Sequence, residues 1–124
     1  MKRLICDLDG TLTEDAADIP YSEKKPNRAV VDRLVEYRDA GFEIVIFSAR
    51  QMRTYGGNVG LINIHTLPVI TAWLDAHGVP YDEILVGKPW CGHDGFYVDD
   101  RAVRPSEFAS KTYEEIVDLL ALER

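Results

Sequence analysis

Cysteine is scarce in this chain: two, Cys6 and Cys91, among 124 residues. That is too few for the disulfide framework of a small secreted domain. Cys6 lies in an apolar run and reads as a reduced core thiol. Cys91-Gly92-His93 taken with Cys6 matches no standard zinc spacing. Long apolar runs are missing too. The stretch after Met1-Lys2-Arg3 is broken by Asp7 and Asp9, too early for a signal peptide, and no later segment approaches membrane-spanning length. Positive charge is in deficit, with 14 Lys and Arg against 21 Asp and Glu and a formal net charge of −7. Such a surface is not built to hold nucleic acid or anionic lipid, and it repels anionic substrates at long range. Any phosphate site must therefore draw on local cations. The expectation is a cytoplasmic protein with neither nucleic acid nor membrane as partner.

What the chain does have is an ordinary globular balance, 46% apolar and 28% charged residues, in a length that suits one compact domain over 1–124. Leu4-Ile5-Cys6 reads as a short buried strand. A helix follows Pro26, with Val30, Leu34 and Tyr37 on one face and Gly41 placed to end it. Phe42 to Phe47 is a nearly continuous apolar run, the mark of a strand covered on both faces. Pro68 opens a second helix whose face carries Val69, Ile70, Trp73, Leu74 and His77 up to Gly78. Trp73 and His77 read as core. Glu83–Val86 and Gly95–Val98 are predicted as two further strands. Thr112 and Glu115 stand at capping-box spacing before Ile116, Val117 and Leu120, which gives a last helix. The alternation predicts an α/β fold, a three-layer Rossmann-like domain around a central parallel sheet. Two stretches stand outside it. The acidic segment with Glu14, Asp15, Asp18 and Glu23 reads as a mobile surface loop. The stretch from Ser48 to Thr66, rich in Gly, Asn and cations, reads as a long functional or mobile loop.

Ligands of an open parallel sheet bind at the carboxyl ends of its strands. Asp7 and Asp9 follow the first predicted strand, Ser48-Ala49-Arg50 the second, Lys88 the third and Asp99-Asp100 the fourth. Carboxylates gathered this closely repel unless a cation sits among them. Oxygen donors without His or Cys suit a hard ion, and Mg2+ is the usual choice where phosphate completes the shell. Asp7 can then act as nucleophile and Asp9 as general acid and base. Gly10 allows a tight turn, and Thr11 can brace it by bonding to backbone. Ser48 and the main-chain N–H groups nearby, those of Leu8 and Ala49, can donate to phosphoryl oxygens. Lys88 supplies positive charge to nucleophile and transferring group alike. Any one of these pieces alone reads as a turn or cap; together, in order, at four strand ends, they read as a site.

Asp7-Leu8-Asp9-Gly10-Thr11-Leu12-Thr13, Ser48 in FSAR, Lys88 in VGKP and Asp99-Asp100 in FYVDD together resemble the four motifs of the haloacid dehalogenase (HAD) superfamily of phosphohydrolases. The resemblance implies Asp7 as nucleophile and Asp9 as acid/base, with the Asp9 main-chain carbonyl on magnesium. It implies Ser48 as phosphate ligand and Lys88 as the motif-three lysine. Asp100 falls on the position of the metal ligand, with Asp99 a second ligand or acting through water. RTYGGNVGLINIHTLP at 53–68 and VGKPWCGHDGFYVDDRAVRPSEF at 86–108 resemble a narrower group, small HAD proteins of bacterial capsule polysaccharide biosynthesis. That likeness implies a phosphorylated sugar or capsule precursor as substrate.

Many HAD enzymes insert a cap domain after the first motif or between the second and third. Here a loop and one helix are expected in each interval, too little for a cap. The site should be open unless the 50–66 loop or a second subunit of a homo-oligomer covers it. Candidate selectors for the small-molecule phosphate ester are Arg50, Arg53, Tyr55, Asn58, Asn63 and His65, with Trp90, His93, Arg101 and Arg104. Rival readings are a phosphotransferase and a catalytically silent phospho-ligand binding module. A receiver-type signalling domain would carry its phosphorylated Asp at a later strand end. The second and third strands here end in Phe47-Ser48 and Gly87-Lys88.

Overall fold

The computed structural model describes residues 1–124, which divide into two compact units, 1–90 and 91–124. In the first unit three parallel strands form one sheet in the order β1 (Arg3–Cys6), β2 (Glu43–Ser48), β3 (Glu83–Val86). Ile44, Val45 and Ile46 are fully buried in succession. Neighbouring strand residues face opposite sides, so this run needs cover on both faces, and β2 is the middle strand. Fully burying each of these side chains contributes about 1.5–3 kcal/mol. Cys6 pairs with Ile46, and Ser48 with Val86. Because all three strands run the same way, Asp7, Ser48 and Lys88 emerge at one end of the sheet.

Parallel neighbours need a crossover. From β1 to β2 it is α1 (Arg28–Asp39), which buries Val30, Val31, Leu34 and Tyr37. Gly41 ends it as expected, at a φ of 96° that an L side chain rarely adopts. From β2 to β3 the crossover is two helices rather than the single one expected: α2 (Val59–His65) and α3 (Leu67–Ala76), bent by 44° at Thr66. Ile70, Trp73 and Leu74 form the expected core face, and the half-buried His77 ring lies tilted against Trp73 at 4.6 Å between centroids; Val69, expected on the same face, is exposed. The expected loop of 48–66 is therefore shorter: turns over 50–57, then α2, whose first turn Asn58 caps by accepting from the Leu61 N–H at 3.2 Å. Three nearby glycines, Gly56, Gly57 and Gly60, masked that helix in the sequence.

The acidic segment after the first motif is tied at its base. Thr13 and Pro26 form an antiparallel bridge, and the Glu14 N–H donates to the Lys25 carbonyl at 2.8 Å. A 3-10 turn, Tyr21–Glu23, lies within it, and the Trp73 indole N–H donates to the Lys24 carbonyl at 2.8 Å. No single helix of the chain is long and apolar enough to cross a membrane.

The second unit carries α4 (Pro105–Ser110) and α5 (Tyr113–Ala121). The capping box of α5 is formed: Thr112 Oγ1 accepts from the Glu115 N–H at 3.2 Å and Glu115 Oε1 from the Thr112 N–H at 2.9 Å. The Thr112 N–H, with the Thr112 hydroxyl as a second donor, favours the charged carboxylate and holds Glu115 below its usual range. The expected fourth strand does not form. Gly95–Val98 pairs with no other strand, and Phe96 and Val98 are 79% and 90% exposed. Apolar and aromatic residues favour a strand only where a neighbouring backbone completes the ladder. The sheet described has three strands, and Asp99-Asp100 follow a loop.

Candidate active site

The turn after β1 is over-determined. The Leu8 carbonyl accepts from the N–H groups of Thr11, Leu12 and Thr13 at 3.2, 2.9 and 3.1 Å. Gly10 sits at a φ of 79°, and its N–H donates to Thr13 Oγ1 at 3.1 Å. Thr13, not Thr11, is thus the hydroxyl that braces the turn. Leu8 and Leu12 anchor it with fully buried side chains, so Asp7 and Asp9 face outward on either side of a packed residue.

Asp7 has a partner for each carboxyl oxygen. Thr11 donates its hydroxyl to Oδ2 at 3.0 Å, and Lys88 Nζ lies 3.4 Å from Oδ1. Lys88 is brought there by backbone: its N–H donates to the Ser48 carbonyl at 3.1 Å, which ties the β3 tip to the β2 tip. Asp9 is held differently. Arg50 forks onto it, Nε to Oδ2 at 3.0 Å and Nη2 to Oδ1 at 2.8 Å. Ser48 is buried, and its Oγ accepts from the Arg50 N–H at 3.0 Å, leaving its proton to donate elsewhere. The main-chain N–H groups of Leu8 and Ala49 donate to no acceptor within the chain. Unpaired donors at strand ends, where another strand end brings an ammonium, are what an anionic ligand requires.

Cys6 precedes the nucleophile candidate and points its thiol at the Asp7 carbonyl, 3.3 Å away. Burial pushes it up to about 12, the Asp7 charge adding to the rise and Lys88 opposing it. It is an inert core thiol at neutral pH.

The donor set at the β1 turn is hard oxygen: the part-exposed Asp7 carboxyl and the Asp9 main-chain carbonyl, which accepts no hydrogen bond within the chain. Three acidic, His or Cys side chains do not cluster anywhere. Two oxygens of this kind fit a magnesium ion that takes the rest of its shell from water and phosphate, and they do not fit a soft metal.

The remaining sequence candidates are dispersed. Arg53 is exposed, its guanidinium 5.7 Å from the Trp90 ring centroid. Asn63 and His65 lie exposed on α2, His65 stacked on Tyr55 at 5.7 Å. Arg50, a candidate substrate ligand, has a side chain only 1% exposed. Asp99, Asp100 and Arg101 belong to the second unit, where Asp99 Oδ1 accepts from the Arg101 N–H at 2.8 Å in a local turn. Sequence reasoning missed Tyr21, whose ring centroid lies 4.1 Å from the Arg50 guanidinium carbon. An aromatic in a polar segment was the one available signal.

No family model and no curated protein matches the chain. Solved structures do. A target protein from Vibrio cholerae is 66% identical over the whole of both chains, with a TM-score of 0.96. Two structures of the Pnkp1/Rnl/Hen1 RNA repair complex are 22% identical, with TM-scores of 0.54 and 0.53. They cover 99% and 89% of this chain and 32% and 34% of theirs. The likeness to the repair complex is one of fold alone, an α/β unit around a parallel sheet. Between Asp9 and Ser48, and between Ser48 and Lys88, the chain inserts only the 3-10 turn and the crossover helices, with no cap. Near-identity of backbone with two thirds of residues shared admits one conclusion: this chain belongs to the same family as the Vibrio cholerae protein.

Proposed function

We propose that the chain is a magnesium-dependent phosphomonoesterase of the HAD superfamily, acting on a small phosphorylated metabolite through an aspartyl-phosphate. One observation carries the reading. The Asp7 carboxylate stands at a strand tip 3.4 Å from Lys88 Nζ, beside the unpaired N–H groups of Leu8 and Ala49. Those donors and the Ser48 hydroxyl bind the equatorial oxygens of the phosphoryl group, and Lys88 offsets the charge that gathers as Asp7 approaches. An Asp7 oxygen forms a bond to phosphorus while the bond to the ester oxygen breaks, and Asp9 gives that oxygen a proton. A water then attacks the acyl phosphate, Asp9 takes its proton, and phosphate leaves with Asp7 restored. Magnesium, which the Asp7 carboxyl and the Asp9 main-chain carbonyl would hold, would supply charge neutralisation when bound.

The stretches 53–68 and 86–108 resemble capsule-biosynthesis proteins, which supports a sugar phosphate or capsule precursor as substrate. In this reading Arg53, Asn63 and His65 select it. The absence of a cap in either interval supports an open site that accepts a terminal phosphate.

The test is phosphate release from an aryl phosphate, with magnesium and after chelation. Release that needs magnesium and disappears in Asp7→Asn is expected. Purified protein without activity, or an Asp7→Asn variant as active as wild type, sinks the proposal. A panel of sugar phosphates, nucleotides and polyol phosphates then ranks substrates by kcat/KM.

A further inference from the structure

Arg50 grips the acid/base candidate from behind. Both Asp9 carboxyl oxygens are taken by its fork, at 3.0 and 2.8 Å, and the Arg50 side chain is 1% exposed against 31% for Asp9. The carboxylate thus opens towards solvent and the guanidinium does not. A buried guanidinium is costly unless it is paired in good geometry, and the fold spends several contacts on holding this one. Tyr21 lies against it with 4.1 Å from guanidinium carbon to ring centroid. The Arg50 N–H is fixed to Ser48 Oγ at 3.0 Å. Gln51, next in sequence, takes the left-handed region at a φ of 60°, and its side chain accepts from the buried Thr66 hydroxyl. A non-glycine residue held there marks a backbone constrained by its surroundings. Nη1 of Arg50 is buried without a partner, so the side chain is placed for Asp9 rather than for the fullest pairing of its own donors.

We infer that Arg50 is a positioning residue: locked beneath Tyr21, it fixes the plane and reach of the Asp9 carboxyl without touching substrate. The inference rests on the proposed function for what Asp9 does, and on the structure for how Asp9 is held. Only a fork can do this. A lysine would keep the charge and lose the two parallel bonds that set the plane. Tyr21 comes from the segment closed by the Thr13–Pro26 bridge, so the packing of that hairpin reaches the acid/base through one guanidinium.

The first test needs no activity. In 15N-labelled protein, the Arg50 Nε–H resonance should exchange with water at least ~10-fold more slowly than those of exposed arginines. It should lose that protection in Asp9→Ala, and part of it in Tyr21→Ala. An Arg50 Nε–H that exchanges like a surface arginine overturns the inference, whatever the chain catalyses. The second test is kinetic. Arg50→Ala should lower kcat roughly 100-fold, the cost of a misplaced reacting group, with KM within about twofold. Arg50→Lys should recover little of it. A rise in KM at unchanged kcat makes Arg50 a substrate ligand, and full recovery by Arg50→Lys makes it a mere counter-charge; either result overturns the inference. If Arg50→Ala does not fold, Tyr21→Ala carries the same test, with a smaller fall in kcat at constant KM expected and a normal kcat refuting it. Failure of Asp7→Asn to abolish turnover would fault the proposed reaction and leave the exchange result standing.

Discussion

Two pairs of aspartates, one residue type, are held in contrasting ways. Asp7 and Asp9 flank a fully buried leucine whose carbonyl accepts three N–H groups, and each carboxyl meets a cation on another strand end. Asp99 and Asp100 follow an exposed loop, and the one contact of Asp99 is with the backbone two residues on. A carboxylate with fixed partners has a fixed direction, which a nucleophile or proton donor needs. A solvated carboxylate is free to follow an ion, which suits a metal ligand whose shell is completed by water. Fixed partners therefore set the first pair apart from the second.

The largest expected effect tests that division. Asp9→Asn should lower kcat by roughly 10²–10⁴-fold, the usual yield of a general acid and base, with little change in the magnesium concentration needed. Under the proposed reaction that fall in kcat should persist at saturating magnesium, which steady-state kinetics over a magnesium titration checks.

Much of this contrast was legible beforehand. The three strand tips that carry Asp7, Ser48 and Lys88 were legible as short apolar runs, a local signal, but only β2 is the buried strand such a run implies; β1 was expected to be buried, and its Ile5 is 61% exposed because β1 is an edge strand. The capping box at Thr112 and the αL glycine at Gly41 were legible for the same local reason. The fourth strand failed because Gly95–Val98 has strand-like residues but no ladder, and pairing is a non-local fact. α2 was hidden by glycines that its tertiary surroundings outweigh. The Arg50–Asp9 fork was out of reach: the two residues are 41 apart in sequence, and nothing in the spelling of FSAR says that its arginine turns inward while Lys88 turns towards Asp7.

Stability offers a second way to break the comparison. Leu8→Ala removes a fully buried side chain under the Asp7–Asp9 turn and should cost about 2–5 kcal/mol. Val98→Ala, at a position 90% exposed, should stay within about 0.5 kcal/mol. Urea midpoints for both variants decide it. A Val98→Ala loss as large as that of Leu8→Ala would mean that the 95–98 loop is packed, and the contrast between the two acidic pairs would collapse.

The smallest expected effect concerns the two cysteines, one in each unit. Cys6 is buried and donates its thiol to the Asp7 carbonyl, whereas Cys91 is partly exposed. Iodoacetamide at pH 8 should therefore label Cys91 and spare Cys6, with Cys6 modified only as fast as the chain unfolds. Equal labelling of both in native protein, read by mass spectrometry, would refute the buried placement of Cys6 at the tip of β1. The same burial has a consequence for stability. The folded chain keeps the Cys6 proton up to about 12, against 9.0 for the unperturbed thiol. Between those values the unfolded chain binds fewer protons than the folded one, so this group's contribution is complete below pH 9 and is lost as pH rises towards 12. The slope is at most about 1.4 kcal/mol per pH unit. Cys6→Ala should flatten the fall in urea midpoint between pH 9 and pH 11, and an unchanged slope would mean that the thiol beside Asp7 is not shielded from water at all.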